Sequence, residues 1–528
     1  MLPLFDVAAA RAWDTSLSAV LSSYVLMEHA GFAAAATLLR TTPDAAQHTL
    51  VLGGPGNNGG DAWVLARALR CAGLAPRVWI LGDSGAVAGD AAKALHALRA
   101  TGVEPRSLDS TALPAFSADL EASDVLVDGL FGVGLSRPLE GLVAEVVRRI
   151  NNASAYTVAL DLPSGVCATT GQVLGCAIKA DLTVTFAAYK PGLLAEPGRA
   201  LAGTVEVLGL GMPAPPLDLY TVLEASDLPA LRPARAASIH KGSAGRVAII
   251  GGAAGQQGAA LLAARGALRA GAGLVTWLQP EERGNSVDVS TSAQPEVRHS
   301  AVAAGDALTP SAPAAAPGLP EVMTGWFSTE RTDLSAWHAA VLGPGYGRHA
   351  LAASALAHVA LAAPCPLVLD ADALFALGAS GLARLTQAAG PRVLTPHAGE
   401  AAHVLGTDTP AINNDRFAAA RALATTSGHV AVLKGPGTLI AAPDGRLAAC
   451  PYGSPALATG GTGDVLAGMV GALLAQGAAP FEAACAAVLW HALASHRHPS
   501  DRGLLASDLA DALVLTCSFP QYFGEINR

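Results

Sequence analysis

Short apolar, β-branched runs recur along the chain, separated by longer stretches with helical spacing. In the first 210 residues or so they are Thr49–Leu52, Arg77–Leu81, Asp124–Val127, Tyr156–Leu160, Leu182–Phe186 and Thr204–Leu208. After the first run, Leu65 and Leu69 fall on one face of a helix while Arg67 and Arg70 lie off it. Strands that alternate with helices and end in glycine-rich turns predict a parallel sheet covered on both faces. The rhythm breaks at Gly211–Pro216, a Pro-rich stretch suited to a semi-rigid connector. It resumes with Arg246–Ile250, Leu274–Trp277, Ala340–Leu342, Leu367–Leu369, Arg392–Leu394 and Val430–Leu433. Thr438–Ala442 and Arg446–Cys450 flank Pro443-Asp444-Gly445, which predicts a hairpin. The expectation is α/β throughout: two doubly wound domains at residues 1–213 and 222–528 with a linker at 214–221. Ala301–Pro320, rich in Ala and Pro, reads as a surface insertion.

Composition agrees with two cores, since 528 residues exceed what one hydrophobic core usually supports. With 33 Lys+Arg against 42 Asp+Glu the net charge is −9, which argues against nucleic-acid and anionic-membrane partners and points to small molecules. The longest charge-free run, between Arg348 and Asp370, contains two histidines and a Pro-Cys-Pro break, so it reads as a surface helix followed by a buried strand. No basic flank precedes an apolar N-terminal stretch, so no signal peptide is expected and a cytoplasmic location follows. Seven cysteines without a Cys-x-x-C pair predict reduced thiols.

The turn Gly53-Gly54-Pro55-Gly56-Asn57-Asn58-Gly59-Gly60-Asp61 follows the first strand and opens a helix, where free backbone N–H groups can receive a ligand. Gly54, Gly56 and Gly59 match the dinucleotide-binding spacing, with Asp83 near the ribose-binding distance. Asn57, Asn58 and Asp61 crowd that turn, however, and Asp61 would repel a pyrophosphate, so hydroxyls, amides or a cation suit the loop better. Ligands collect beyond the carboxyl ends of parallel strands. Asp128-Gly129-Leu130-Phe131-Gly132 and Asp161-Leu162-Pro163-Ser164-Gly165 follow two further strands and point to the same region. Asn58, Asp128 and Ser164 offer oxygens to a hard cation, and Asp161 offers a general base. Taken singly, each carboxylate also fits a helix N-cap.

These motifs, with Leu26-Met27-Glu28-His29-Ala30-Gly31, resemble the NAD(P)H-hydrate epimerases. The resemblance implies a Rossmann-like domain that interconverts the R and S epimers of hydrated NADH or NADPH with a bound potassium ion. It implies substrate contacts at Asn57, Asn58, Gly59, Gly60 and Asp61, at Gly132, Val133, Gly134, Leu135, Ser136, Arg137 and Pro138, and at Asp161. Potassium would be held by Asn58, Asp128 and Ser164. Lys190 also matches a family position, although an ordinary solvated lysine reads the same way. His29 and Ala62 depart from the family, which usually has Asn and Gly there.

The second half has no Gly-Lys dipeptide and hence no Walker loop. Its strongest motif is Ala458-Thr459-Gly460-Gly461-Thr462-Gly463-Asp464 ahead of an apolar helix. Glycines let the backbone approach a phosphate, the helix start favours negative charge, and Asp464 can take a proton from an attacking hydroxyl. A plain first-turn Asp is the competing reading. Lys434-Gly435-Pro436-Gly437-Thr438 offers a charge, backbone donors and a hydroxyl, or is merely a tight turn; His397 fits a ligand contact and a structural hydrogen bond equally.

Together with His240-Lys241-Gly242, Ile249-Ile250-Gly251-Gly252, Gly271-Ala272-Gly273-Leu274-Val275-Thr276, Asp370-Ala371-Asp372-Ala373-Leu374 and Thr395–Glu400, these segments resemble the ADP-dependent NAD(P)H-hydrate dehydratases. The resemblance implies a ribokinase-like domain that converts the S hydrate to NAD(P)H while ADP becomes AMP and phosphate, with magnesium on the nucleotide. By motif, Ala259, Gly345, His397 and Asp464 would contact the hydrate, and Lys434, Gly435, Pro436, Gly437, Thr438 and Gly463 the nucleotide. Asp464 and Asp161 are the expected catalytic residues. A fused repair enzyme, homo-oligomeric, is the expectation; a ribokinase-like small-molecule kinase with an N-terminal sensor domain is the alternative.

Overall fold

Two twisted sheets, each wound on both faces by helices, make up the computed structural model, which describes residues 1–211, 219–281 and 313–517. The chain starts with a two-residue strand, β1 (Leu2–Pro3). The first sheet follows with β2 (Thr49–Gly53), β3 (Arg77–Leu81), β4 (Arg106–Leu108), β5 (Val125–Gly129), β6 (Tyr156–Leu160), β7 (Leu182–Phe186) and β8 (Thr204–Leu208). Its order is β4-β3-β2-β5-β6-β7-β8, parallel throughout. The connection reverses between β2 and β5, so the loops leaving those two strands diverge and open a crevice at their carboxyl ends. The run expected at 124–127 begins one residue later and extends to Gly129, which puts Asp128 inside the sheet, fully buried. The sheet admits this carboxylate because Ser164 and Leu130 supply its hydrogen bonds.

The second sheet adds β9 (Tyr220–Val222), β10 (Arg246–Ile250), β11 (Leu274–Pro280), β12 (Val322–Phe327), β13 (Ala339–Leu342), β14 (Leu367–Leu369), β15 (Arg392–Leu394), β16 (Val430–Leu433), β17 (Thr438–Ala441) and β18 (Leu447–Cys450). Its order is β1-β9-β18-β17-β16-β15-β14-β13-β10-β11-β12. From β12 to β16 the neighbours are parallel, with the reversal between β10 and β13. The Pro-Asp-Gly turn makes the expected hairpin, with β17 antiparallel to β18. The charge-free run folds as the helix Ala350–Ala362 followed by the buried β14, and among the described residues no helix is long and apolar enough to cross a membrane.

Both cores are filled with alanine and branched aliphatics. Small side chains allow the helices Gln257–Arg269 and Thr462–Ala475 to pack backbone against backbone: a Cβ on Gly468 would fall 1.9 Å from the Ala263 carbonyl oxygen. This contact fixes the start of the second helix, where the Thr-Gly-Gly-Thr-Gly-Asp motif lies.

The two halves also touch. Pro3 of β1 pairs with Thr221 of β9, and Leu4 bridges to Tyr189. Leu194 and Ala195, in the connection from β7 to β8, belong to the second half's core. The expected linker at 214–221 falls largely on 212–218, and most of the expected insertion at 301–320 falls on 282–312; both stretches lie outside the described residues.

Candidate active sites

The first crevice is a cavity of about 660 Å³ lined by Asn57, Asn58, Asp61, Gly132–Arg137, Asp161 and Lys190. Gly59, Gly60 and Pro138 do not reach its wall. A Cβ on Gly59 would meet the Gly54 carbonyl oxygen at 1.9 Å and one on Gly60 the Met27 sulfur at 2.5 Å, so these glycines seat the helix Asn57–Cys71 against its neighbours. Asp83 stands apart, capping the turn Ser84–Ala86 through Gly85 N–H. His29 is tied to the Leu210 carbonyl at 2.7 Å.

Asp161 sits at the end of β6 with φ of +67°, a left-handed backbone that L-residues adopt at a cost. That bend aims its carboxylate into the cavity, where Lys190 Nζ lies 2.6 Å from Oδ1, Thr185 Oγ1 donates to Oδ1 and Val133 N–H donates to Oδ2. Lys190 is buried and donates also to Thr185 Oγ1 and the Phe186 carbonyl, each at 2.8 Å. It is therefore no solvated surface lysine: a buried ammonium needs its charge and its three donors met. Gly132 brings the loops together, since a Cβ there would stand 2.9 Å from Asp161 Oδ2 and 3.4 Å from Asn58 Oδ1.

Asn58 is buried, and neither its amide oxygen nor its nitrogen has a hydrogen-bond partner among the described residues. Orphaned buried polar atoms of this kind are rare and mark a place for an absent partner. Beside it, Asp128 accepts from Ser164 N–H at 2.8 Å, Ser164 Oγ at 2.7 Å and Leu130 N–H at 3.1 Å. Burial pushes its carboxyl up to about 6, against the opposing effect of these hydrogen bonds. The donor set is all oxygen with one carboxylate, which fits a hard monovalent cation.

Two further carboxyls face the same space. Burial holds Asp61 well above the usual carboxylate range, and the charges of Asp161 and Asp14 push it the same way. Asp14 is raised by burial and by Asp161, with Lys190 opposing. The sequence reading missed Asp14. Its signal was present: in the helix Val7–Ser18, Asp14 stands four residues after Ala10 and three before Leu17, the two buried positions, so a carboxylate occupies the inward stripe.

In the second half, the helix Thr462–Ala475 begins after Gly461, whose φ of +94° turns the chain into the first helical turn. The amides of that turn have no intrahelical acceptors and leave an anion-attracting end. Asp464 lies there without a hydrogen bond or ion pair among the described residues. Burial raises its carboxyl to about 7, Asp370, Glu400 and Asp372 add to the rise, and Lys434 opposes it. Lys434 Nζ bonds Asp370 Oδ1 at 2.8 Å and stands 3.8 Å from Glu400 Oε2. Burial disfavours its charge, yet these carboxylates outweigh burial and the ammonium is held above its usual range. A Cβ on Gly463 would lie 3.3 Å from Lys434 Nζ, so the two expected nucleotide segments face each other. Gly437, in the same loop, packs on the Leu194 carbonyl of the first half, 2.0 Å from where its Cβ would be.

His397 caps the helix Ala398–Leu405: Nδ1 accepts from Gly399 and Glu400 N–H, while Glu400 Oε2 accepts from His397 N–H. The cap commits Nδ1 as acceptor, so the neutral ring carries its proton on Nε2, which stands 3.6 Å from Glu400 Oε1, beyond hydrogen-bond length. The structural reading of His397 is thus realised and leaves a donor for a ligand. Gly345 and Ala259 meet, the Gly345 Cβ position being 3.3 Å from Ala259 Cβ. Ala259 is one turn before Leu262, which touches Gly461. A second residue missed from sequence is His491, buried in the helix Pro480–Ser495. Burial lowers it to about 4, and its neutral Nε2–H donates to the Thr462 carbonyl at 2.9 Å, bracing the Asp464 turn.

Comparison with known proteins agrees on both halves. Residues 247–515 match the family described as NAD(P)H-hydrate dehydratase, and residues 23–192 the family described as YjeF-related protein N-terminus. A bifunctional NAD(P)H-hydrate repair enzyme Nnr of Moorella thermoacetica is 37% identical over 94% of this chain and 92% of its own. The protein of the same name from Coxiella burnetii is 38% identical over 93% of this chain and 94% of its own. Among solved structures, an ADP/ATP-dependent NAD(P)H-hydrate dehydratase from Bacillus subtilis, co-crystallised with ATP and Mg²⁺, is 30% identical. The match covers 56% of this chain and 97% of that one, with a TM-score of 0.46.

Proposed function

The chain belongs to the bifunctional NAD(P)H-hydrate repair enzymes, and from that premise we propose that its two sites carry out consecutive steps on hydrated NADH and NADPH. Residues 1–213 interconvert the R and S hydrates and residues 222–528 dehydrate the S form with ADP, releasing AMP and phosphate. The observation that carries the reading is the approach of Lys434 to Gly463 beside the raised carboxyl of Asp464. A charge, a helix start and a base then converge where a phosphoryl group would transfer.

The substrate's hydroxyl stands on a ring carbon bonded to the ring nitrogen. In the first site the nitrogen lone pair can expel that hydroxyl as water once it gains a proton, which the raised carboxyl of Asp61 would give and later regain from Asp161, leaving a planar iminium to which water returns on either face. Asp161 takes the proton of the returning water, and Lys190 holds that carboxylate in place. The loop residues Asn57–Asp61 and Gly132–Pro138 would surround the ring. Potassium, when bound, would be held by Asn58, Asp128 and Ser164 and supply a fixed positive charge; the unpartnered Asn58 amide supports this assignment.

Hydroxide leaves poorly, so dehydration is better served by phosphorylation first. Asp464 takes the hydroxyl proton as the oxygen attacks the terminal phosphorus of ADP, and the bridging P–O bond breaks to give AMP. The C–O bond then breaks to release phosphate, and loss of the neighbouring C–H proton restores the ring double bond. Lys434–Thr438 and Gly463 would hold the nucleotide, with Ala259, Gly345 and His397 against the hydrate. Magnesium would arrive on the nucleotide phosphates, with Asp370 and Glu400 the carboxylates beside Lys434. The described cysteines are free thiols, in keeping with a cytoplasmic setting.

Mixing the purified protein with an equal mixture of the R and S hydrates of NADH tests the whole reading. With ADP present, NADH absorbance returns for both epimers; accumulation of a stable phosphorylated product would instead favour the kinase alternative.

A further inference from the structure

The dehydratase site presents a charge problem. Asp370, Asp372, Glu400 and Asp464 all act on one small region, whereas a hydrated dinucleotide arrives with a diphosphate and, in the NADPH series, an additional 2′-phosphate. Lys434 is already bonded to Asp370 and close to Glu400. Next to His397 and Glu400 lies a cavity of about 270 Å³ whose remaining wall includes Arg348, Phe375 and His403. Arg348 follows the Gly343–Gly347 turn at the end of β13, so it stands at the mouth of the switch-point crevice.

The side chain of Arg348 is 57% exposed yet fixed on two sides. Its Nε donates to Asp372 Oδ1 at 2.6 Å, and Asp372 is itself held by Gly347 N–H at 2.9 Å. Its guanidinium carbon lies 4.7 Å from the centre of the Phe375 ring. Phe375 in turn is stacked on His403, with ring centres 4.9 Å apart and 4° between planes, and His403 Nε2–H donates to the Phe375 carbonyl. The two Nη groups make no hydrogen bond among the described residues. Phe375 is 41% exposed and carries both the Arg348 guanidinium and the His403 ring. A guanidinium held over a ring and by a carboxylate, with its outer donors free, has its ordering cost met before the ligand arrives, and its fork matches phosphate oxygens.

We propose that Arg348, held by Asp372 and Phe375, binds a phosphate of the hydrated dinucleotide in the dehydratase site and thereby offsets the surrounding carboxylates. This rests on the dehydratase reading of the Asp464 site. Arg348 acts in binding, away from the reacting carbon, so its loss changes KM with little change in kcat.

The test measures dehydration by the full chain with saturating ADP, using the S hydrates of NADH and NADPH separately. Arg348→Ala raises KM for hydrate by about tenfold or more, as expected for a charge-assisted contact, while kcat, the KM for ADP and the epimerisation rate stay near parental values. Arg348→Lys leaves a cation for Asp372, so it keeps the test open even if the alanine variant fails to fold, and it shows a smaller rise of the same kind. Phe375→Leu, which removes the stack but no charge, shifts KM in the same direction. A penalty equal for both hydrates identifies the diphosphate; one confined to the NADPH series identifies the 2′-phosphate. Unchanged hydrate KM in Arg348→Lys and Arg348→Ala, or a rise in the ADP KM instead, overturns the inference. Asp464→Asn run alongside separates the two claims: if it dehydrates normally the base assignment falls, whereas an inactive Asp464→Asn with unaltered Arg348 variants removes only the phosphate contact.

Discussion

Asp161 and Asp464 occupy comparable places, each at a switch-point crevice of a parallel sheet, but their surroundings differ in kind. Asp161 has a buried ammonium 2.6 Å away and hydrogen bonds to both of its oxygens. Asp464 has no direct partner among the described residues; the nearby lysine is bonded to Asp370, and burial, with the other carboxylates adding to it, pushes its proton affinity up to about 7. One site keeps a charge pinned in a fixed direction, and the other keeps a carboxyl close to balance between its two protonation states at neutral pH. A reaction that removes and returns water at one carbon benefits from a steady charge facing a transient cation. A phosphoryl acceptor that must first lose a proton benefits from a base whose affinity matches the working pH.

The largest test of this contrast replaces each acid in turn. Asp464→Asn is expected to slow dehydration by about 10³-fold or more and to leave R-to-S conversion at the parental rate, measured by chromatography of the two epimers. Asp161→Asn is expected to slow epimerisation by about 10²-fold or more, with dehydration of pure S hydrate unchanged. Crossed effects, in which either substitution disables both reactions, would mean that the sites are not chemically separate. Lys190→Met sharpens the comparison further. It leaves a buried carboxylate without its cation, so epimerisation falls and the melting temperature drops, while dehydration keeps its rate.

The cation should likewise act on one site alone. Exchange of potassium for lithium, or Asn58→Ala, is expected to reduce epimerisation by about tenfold, a loss of about 1.4 kcal/mol in transition-state stabilisation, with no change in ADP-dependent dehydration. Restoring potassium rescues the parent and not the variant. An epimerisation rate indifferent to the cation would leave the unpartnered Asn58 amide to be explained by the substrate itself.

Much of this was legible in the chain because strand and motif are local. The strands at 77–81, 156–160, 182–186 and 246–250 are found where the apolar runs lie, and the Thr459–Asp464 turn opens its helix as the glycines suggest. What escaped is non-local or too short to show a period. β4 is three residues, two of them exposed, and has no alternation to read. β1 becomes a strand only through β9, more than 200 residues away. Lys190 matches a family position yet reads equally as a solvated lysine until Asp161 and Thr185 are folded around it. Arg348 and Phe375 lie on different elements, with the Asp372 contact invisible in the order of residues. Asp14 and His491 were readable in principle, as polar residues set into apolar helical faces.

The smallest expected effect is on stability, and it tests whether Asp464 is as strained as its surroundings imply. The unfolded chain has this carboxyl near 3.8 and the folded chain near 7, so between those values the native state binds the extra proton. Stability therefore falls as pH rises from about 4 to about 7, at most by about 1.4 kcal/mol per pH unit for one proton, and levels off above. Asp128, raised to about 6 by burial, contributes a decline of the same sign that ends earlier. Asp464→Asn removes the first contribution and keeps the second. Melting temperatures taken at pH 5 and pH 8 should therefore differ less in the variant than in the parent, the variant gaining most at pH 8, where the parent must bury an ionised carboxylate. Equal differences in the two proteins would mean that Asp464 is compensated by a cation in the folded state, and the contrast with Asp161 would disappear.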